Sequence, residues 1–222
     1  MNRRMQMALL ILACAHGARA GTTLLYDNTT TDTGDTILYS VGPYTALGDQ
    51  LSLISPGLAT QAKVQMYNNG NAGTFDAELD FFQLGGPVGS QLGSFDLTGI
   101  ASMGSDVINL TFNLGSNLNV PQNMIFTVSV GNQSPGMDLG LDMFEPPTVG
   151  SSDNTYMIAE SGGIYSQLPT SNENVYFQLS ATAGAAAPEP CSLALLLTCL
   201  PAMWFGWLTT RRRNRRHETP AP

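Results

Sequence analysis

The sequence predicts an all-β fold: an antiparallel two-sheet sandwich, jelly-roll-like in form, followed by a single C-terminal transmembrane helix. Three observations predict it. Apolar and polar residues alternate with period 2 in many short runs, and no segment of the middle of the chain sustains a 3.6 period. Gly-, Pro- and Asn-rich turn signals separate the runs. Near the end, residues 191–208 form an apolar stretch without a single charge.

The N-terminal segment 1–20 reads as a signal peptide. Arg3 and Arg4 form its charged start, and Met7 to Ala15 its short apolar core. Ala18-Arg19-Ala20 is a small-x-small cleavage site, so the mature chain is expected to begin near Gly21. About nine apolar residues are too few to span a membrane. A competing reading takes Ile11-Leu12-Ala13-Cys14 as a lipobox with a lipidated Cys14, but its apolar core is then very short and Leu12 fits poorly.

The expected sandwich covers 21–180. Its clearest strands are 75–81, 108–114, 124–130 and 175–179. In the first, Phe75, Ala77, Leu79 and Phe81 alternate with Asp76, Glu78 and Asp80. Weaker candidates are 23–26, 36–41, 50–54, 61–67, 91–97, 139–144, 156–160 and 164–167. Turn signals such as Asn68-Asn69-Gly70-Asn71, Gly115-Ser116-Asn117 and Ser161-Gly162-Gly163 divide them. Strands at this spacing argue for two antiparallel sheets packed face to face. The stretch 181–187 is an Ala-rich linker.

Charge and residue usage restrict the chemistry. Residues 21–190 hold 16 acidic side chains and one basic one, Lys63, for a net charge of −15. Such a domain repels the phosphates of nucleic acid and anionic lipid, so no nucleic-acid partner is expected. The same residues contain no Cys, His, Arg or Trp. That excludes from them Ser-His-Asp and Cys-His nucleophiles, His- or Cys-ligated metal sites, and guanidinium clamps. It also means that the fold forms without a disulfide, and the segment is long enough to bury a core without one.

Two chemistries remain open. Asp76, Glu78 and Asp80 share one strand face and supply the carboxylates that glycoside hydrolysis needs; the same pattern is what the wet face of any sandwich strand shows. Asp27, Asp32 and Asp35, in an Asx-rich Gly-containing segment, form a candidate calcium site, although their spacing is not that of an EF-hand. Asp138, Asp142 and Glu145 form a weaker acidic group. The seven tyrosines, 26, 39, 44, 67, 156, 165 and 176, are candidates either for stacking on sugar rings or for packing at sheet edges with wet hydroxyls.

The tail has three parts. Pro188-Glu189-Pro190 opens it. The apolar run 191–208 follows at once; as a helix its 18 residues cover roughly 27 Å, the short end of what a bilayer core requires. Pro201 sits within the run, and Trp204 and Trp207 lie near its end, where an aromatic belt is expected. Arg211, Arg212, Arg213, Arg215 and Arg216 then act as a cytoplasmic membrane stop, and 217–222 complete the chain. This arrangement over 188–216 resembles the PEP-CTERM sorting signal of Gram-negative bacteria. The extension after the arginines is a mild departure from that pattern. The resemblance implies an exosortase-type sorting enzyme as partner, an inner-membrane-anchored precursor, and a mature protein at the cell surface or outside it. It further implies association with exopolysaccharide or biofilm matrix. The expected function is thus a surface-sorted, non-catalytic protein of the matrix or envelope; the alternatives are a carboxylate-dependent glycan hydrolase and a carbohydrate-binding module.

Overall fold

Period-2 alternation becomes fourteen strands among the described residues. The structure, a computed structural model, describes residues 22–85, 88–153, 155–170 and 173–182. In chain order the strands are β1 (Thr22–Asn28), β2 (Asp32–Leu38), β3 (Ala46–Ser52), β4 (Gly57–Asn68), β5 (Gly73–Gln83), β6 (Gln91–Ser102) and β7 (Asp106–Val120). They continue as β8 (Asn123–Gly131), β9 (Leu139–Phe144), β10 (Ser151–Ser152), β11 (Tyr156–Ser161), β12 (Ile164–Pro169), β13 (Asn174–Val175) and β14 (Phe177–Thr182). The span expected at 191–208 lies outside the described residues. Among the described residues no helix is long and apolar enough to cross a membrane.

The strands form two seven-stranded sheets. The first has the order β1-β14-β4-β9-β13, with β7 on β4 and β2 on β9. The second runs β12-β11-β3-β8-β5-β6, with β10 on β3. Every pairing between these strands is antiparallel. The two-sheet antiparallel sandwich expected from the alternation is therefore present, with its core between the sheets.

Alternation decides which side chains enter that core. On β5, Phe75, Ala77, Leu79 and Phe81 are buried; on β7, Ile108, Leu110, Phe112 and Leu114 are. Phe177 from the first sheet stacks on Phe126 of the second, with ring centroids 3.9 Å apart and planes 18° from parallel. Phe81 meets the same ring edge-on at 6.2 Å, and Tyr26 approaches it at 6.2 Å. Such contacts add to the area term because the ring quadrupoles favour offset and edge-to-face pairs.

Three local expectations are corrected. Gly115-Ser116-Asn117 does not end a strand. It lies inside β7, where four residues between Asn113 and Leu118 bulge out opposite the single Thr60 of β4. Gly115 supplies the positive φ of 71° that this excursion requires. The 36–41 candidate stops at Leu38, and Tyr39–Val41 form a 3-10 turn. There the Tyr39 ring enters the core and its hydroxyl donates to the Val128 carbonyl at 2.7 Å. The 175–179 candidate is split at Tyr176, whose N–H goes to the Asp142 carbonyl. On one side of that residue β13 pairs with β9, and on the other β14 pairs with β4.

One buried amide closes an end of the sandwich. Asn68 is fully buried, and its Nδ2 donates to the Asn71 carbonyl and the Ser102 hydroxyl. Its Oδ1 accepts the N–H groups of Gly70 and Asp138. All four capacities of the amide are used, and they join the β4–β5 turn to the ends of β6 and β9.

Because Phe177 touches rings of both sheets, its truncation leaves a cavity at their junction. Phe177→Ala is expected to cost about 3–5 kcal/mol, read as a fall in the urea unfolding midpoint at unchanged slope; a shift worth under about 1 kcal/mol would show that the ring does not bridge the sheets.

Candidate functional site

The parity that buries Phe75, Ala77, Leu79 and Phe81 turns Asp76, Glu78 and Asp80 to the outer face of the second sheet. Neighbouring strands extend this row. On β6, Asp96 lies directly opposite Glu78 and Ser94 opposite Asp80. On β8, Ser129 and Thr127 face the same two carboxylates. The ladders continue through Ala46 and Gly48 of β3 to Glu160 and Ile158 of β11, and on to Tyr165 and Gln167 of β12. Position 48 accepts no side chain: a Cβ there would lie 1.9 Å from the Phe126 carbonyl oxygen.

This outer face is concave. In a flat sheet β12 and β5, four strands apart, would be separated by roughly 19 Å. Yet the Tyr165 ring packs edge-on against Phe82 with centroids 5.6 Å apart. The β11–β12 hairpin must therefore curl over the face. Beneath it Phe82, Ile125 and Ile158 form a small buried cluster of their own, with Tyr156 and Tyr165 packed against them. Thr127 is buried as well, although its side chain belongs to the outer face. On the β6–β5–β8 part of the sheet, Asp76, Glu78, Asp96, Thr98, Ser129 and Gly131 line a groove of about 410 Å³.

The carboxylates have different duties. Asp76 is structural: Oδ1 accepts the Gly99 N–H at 2.7 Å and Oδ2 accepts the Asn132 amide. The Asn132 and Gly99 bonds hold its carboxyl below the usual range. Glu78 accepts the Ser94 hydroxyl. Asp80 accepts the Gln91 amide at 2.7 Å. Partial burial pushes Asp80 above the usual carboxylate range, Glu78 and Asp96 add repulsion, and the Gln91 bond opposes the shift. Like charges directly opposite across a ladder destabilise it, and the Glu78–Asp96 pair has no cation to relieve it, because Lys63 is on β4 of the other sheet.

The candidate calcium residues are not one cluster in the structure. Asp27 is in β1, and Asp32 and Asp35 are in β2, so most of the expected loop is strand. Asp27 accepts Thr29 and Gln178 side chains, Asp32 accepts the Gly34 N–H in an Asx turn, and Asp35 faces Glu173. Asp142, from the weaker acidic group, accepts the Thr36 hydroxyl at 2.9 Å, whereas Asp138 accepts Ser40. Among the described residues no group of three or more His, Cys, Asp or Glu side chains is arranged to hold a metal ion. Of the tyrosines, Tyr26 and Tyr39 are core residues rather than edge residues. Ala18, Ala20, Pro188, Glu189, Pro190 and the arginines 211, 212, 213, 215 and 216 lie outside the described residues.

Sequence reasoning did not find Asp96, Glu160 and Tyr165 as partners of the β5 carboxylates. Their convergence comes from strand pairing, which the alternation of a single strand does not encode. No protein-family model matches the chain, and no curated protein matches it.

The raised Asp80 has a testable sign. A carboxyl raised in the folded state contributes stability that is complete below the unfolded value and is lost as pH rises through the folded value. Asp80→Asn is therefore expected to melt with the wild type near about pH 3.5 and above it at about pH 7. Solvent screening limits the gain to about 0.5 kcal/mol, a shift of roughly 1–2 °C. A lower midpoint for the variant at neutral pH would mean that Asp80 is favourably ionised.

Proposed function

We propose that this chain is an exported, surface-sorted and non-catalytic protein of the extracellular matrix or cell envelope, and that its outer second-sheet face holds polysaccharide. In this reading a jelly-roll-like sandwich is carried on a PEP-CTERM tail with one transmembrane helix. The signal peptide 1–20 exports the chain, an exosortase-type enzyme acts near Pro188-Glu189-Pro190, and Arg211 to Arg216 hold the precursor in the inner membrane until then.

The observation that carries the binding role is the composition of the concave face. Glu78, Asp80, Asp96 and Glu160 are acceptors for sugar hydroxyls, Ser129 and Gln167 add donors, and Tyr165 offers an aromatic ring at the wall. Carboxylates and amides beside an aromatic ring suit neutral sugars, which carry no charge to be repelled. An anionic polysaccharide would need cations between it and the sheet.

One observation favours the hydrolase as the second reading. Asp80 is pushed toward its protonated form beside Glu78. An acid and a base two residues apart on a strand are separated by roughly 6.6 Å, within reach of the spacing of inverting glycosidases.

Affinity electrophoresis in gels cast with neutral polysaccharides separates the readings. Binding predicts retardation that Tyr165→Ala and Glu78→Gln each weaken by about tenfold, the loss of one stacking or charged hydrogen-bonding contact, without release of reducing ends. Reducing-end release abolished by Asp80→Asn would favour the hydrolase. No retardation on any polymer would remove the binding role.

A further inference from the structure

Asn69-Gly70 is the only Asn-Gly pair in the chain, and it lies in the turn between β4 and β5. An asparagine followed by glycine is a labile pair, because a residue without Cβ leaves its own nitrogen unhindered as a nucleophile. The Gly70 nitrogen attacks the Asn69 side-chain carbonyl carbon, a C–N bond forms, the Gly70 proton passes to solvent, and the Asn69 amide nitrogen leaves as ammonia. Water then opens the cyclic imide at one carbonyl or the other and leaves aspartate or isoaspartate. Water is the only co-reactant, and Asn69 is exposed to it.

The fold requires the glycine of this pair. A Cβ at position 70 would lie 2.3 Å from the Gly136 carbonyl oxygen and 2.6 Å from the Asp138 nitrogen. Close approach of two backbones fixes the residue, and its φ is not positive. The same packing withholds the nucleophile. The Gly70 N–H donates to Oδ1 of the buried Asn68 at 2.9 Å. Attack needs that nitrogen free of its proton and turned toward Asn69, and a nitrogen that donates into a buried acceptor is neither. Asn68 is held in its turn: its Nδ2 donates to the Asn71 carbonyl at 2.8 Å and to the Ser102 hydroxyl at 2.7 Å. The flanking peptides are pinned as well. The Asn69 N–H donates to the Asp138 carbonyl at 2.8 Å, and the Asn71 N–H to the Gly136 carbonyl at 2.8 Å. Closing the five-membered imide ring rotates the link between these two bonds and pulls against both.

We propose that Asn69 is a latent modification site, locked by Asn68 while the β4–β5 turn is closed and converted to aspartate or isoaspartate when the turn opens. The change runs one way. Isoaspartate adds a methylene to the main chain between two pinned N–H groups, so the bonds to Asp138 and Gly136 no longer re-form in the same register. Either product adds a carboxylate to a segment, 21–190, whose net charge is already −15. Because Asn68 joins this turn to the ends of β6 and β9, conversion loosens that end of the sandwich. The binding role proposed for the second sheet plays no part in this chemistry.

Peptide mapping by mass spectrometry tests the lock, with full-length protein held in mildly alkaline buffer, folded or in urea. The folded protein is expected to convert at residue 69 at least about tenfold more slowly than the unfolded one. That slowing should match the hydrogen-exchange protection of the Gly70 N–H within about threefold, since both wait on the same opening. Asn68→Ala removes the acceptor and should convert at close to the unfolded rate. Ser102→Ala keeps the Gly70 bond but loosens the Asn68 amide; it should fall between, and it decides the matter if Asn68→Ala does not fold. Equal rates in folded and unfolded wild type, or a folded variant of either kind that converts no faster than wild type, would overturn the lock.

Discussion

The stack of Phe177 on Phe126 is the contact on which the sandwich depends. No strand belongs to both sheets, so the packing of one on the other rests on their inward side chains. Residues 21–190 have no cysteine to staple the layers and one cation to pair across them. Their net charge of −15 opposes compaction. Apolar burial must therefore supply the cohesion, and Phe177 is where rings from β5, β8 and β14 converge. Bulges serve the same end. At Thr60 the register of β4 shifts against both β7 and β14, so burial moves from Ala59 to Ala62 and both sides of the kink remain in the core.

The outer face follows from the inner one. A strand cannot bury Leu79 without presenting Glu78 and Asp80, so the acidic row is fixed by the core. What is particular to this molecule is the curl of the second sheet. It brings Tyr165 of β12 over a row that begins on β5 and makes a concave surface from what would otherwise be a flat wet face. The hairpin that forms the wall is bounded by the two shortest strands among the described residues.

Most of the strands were legible in the sequence because most of them have one wet face, and a wet face produces alternation. β5 is the clearest case: three acids between four apolar residues allow one reading. The rest was hidden for identifiable reasons. β10 is too short to alternate. Gly115-Ser116-Asn117 has turn composition, yet Thr60 lets β4 continue past it, and nothing local to 115–117 records the neighbour. Asp49 falls in the inward register with Leu47 and Leu51, but a carboxyl is so seldom buried that its chemistry argues for the outside. Asp27, Asp32 and Asp35 are close in sequence, yet the turn between β1 and β2 sends them to different partners. Tyr165 and Asp96 join the candidate site only through pairings that cross several strands.

If the sandwich is the delivered part and the tail delivers it, the two must be separable at one place in the chain. Only Pro190 separates Glu189 from the apolar run, so in the proposed sorting it would lie at the membrane–water boundary, where its charge avoids burial in hydrocarbon. In the proposed sorting, Pro188 and Pro190, which lack backbone donors and disfavour helix, suit a processing site. The direct measurement is the intact mass of the protein from a host that has an exosortase-type enzyme and from one that lacks it. The expected result is a mature protein without everything from about Cys191 onward in the first host and a membrane-bound precursor in the second. A mass that still includes Trp204, Trp207 and the arginines 211 to 216 in both hosts would make the tail a plain anchor and contradict the proposed sorting.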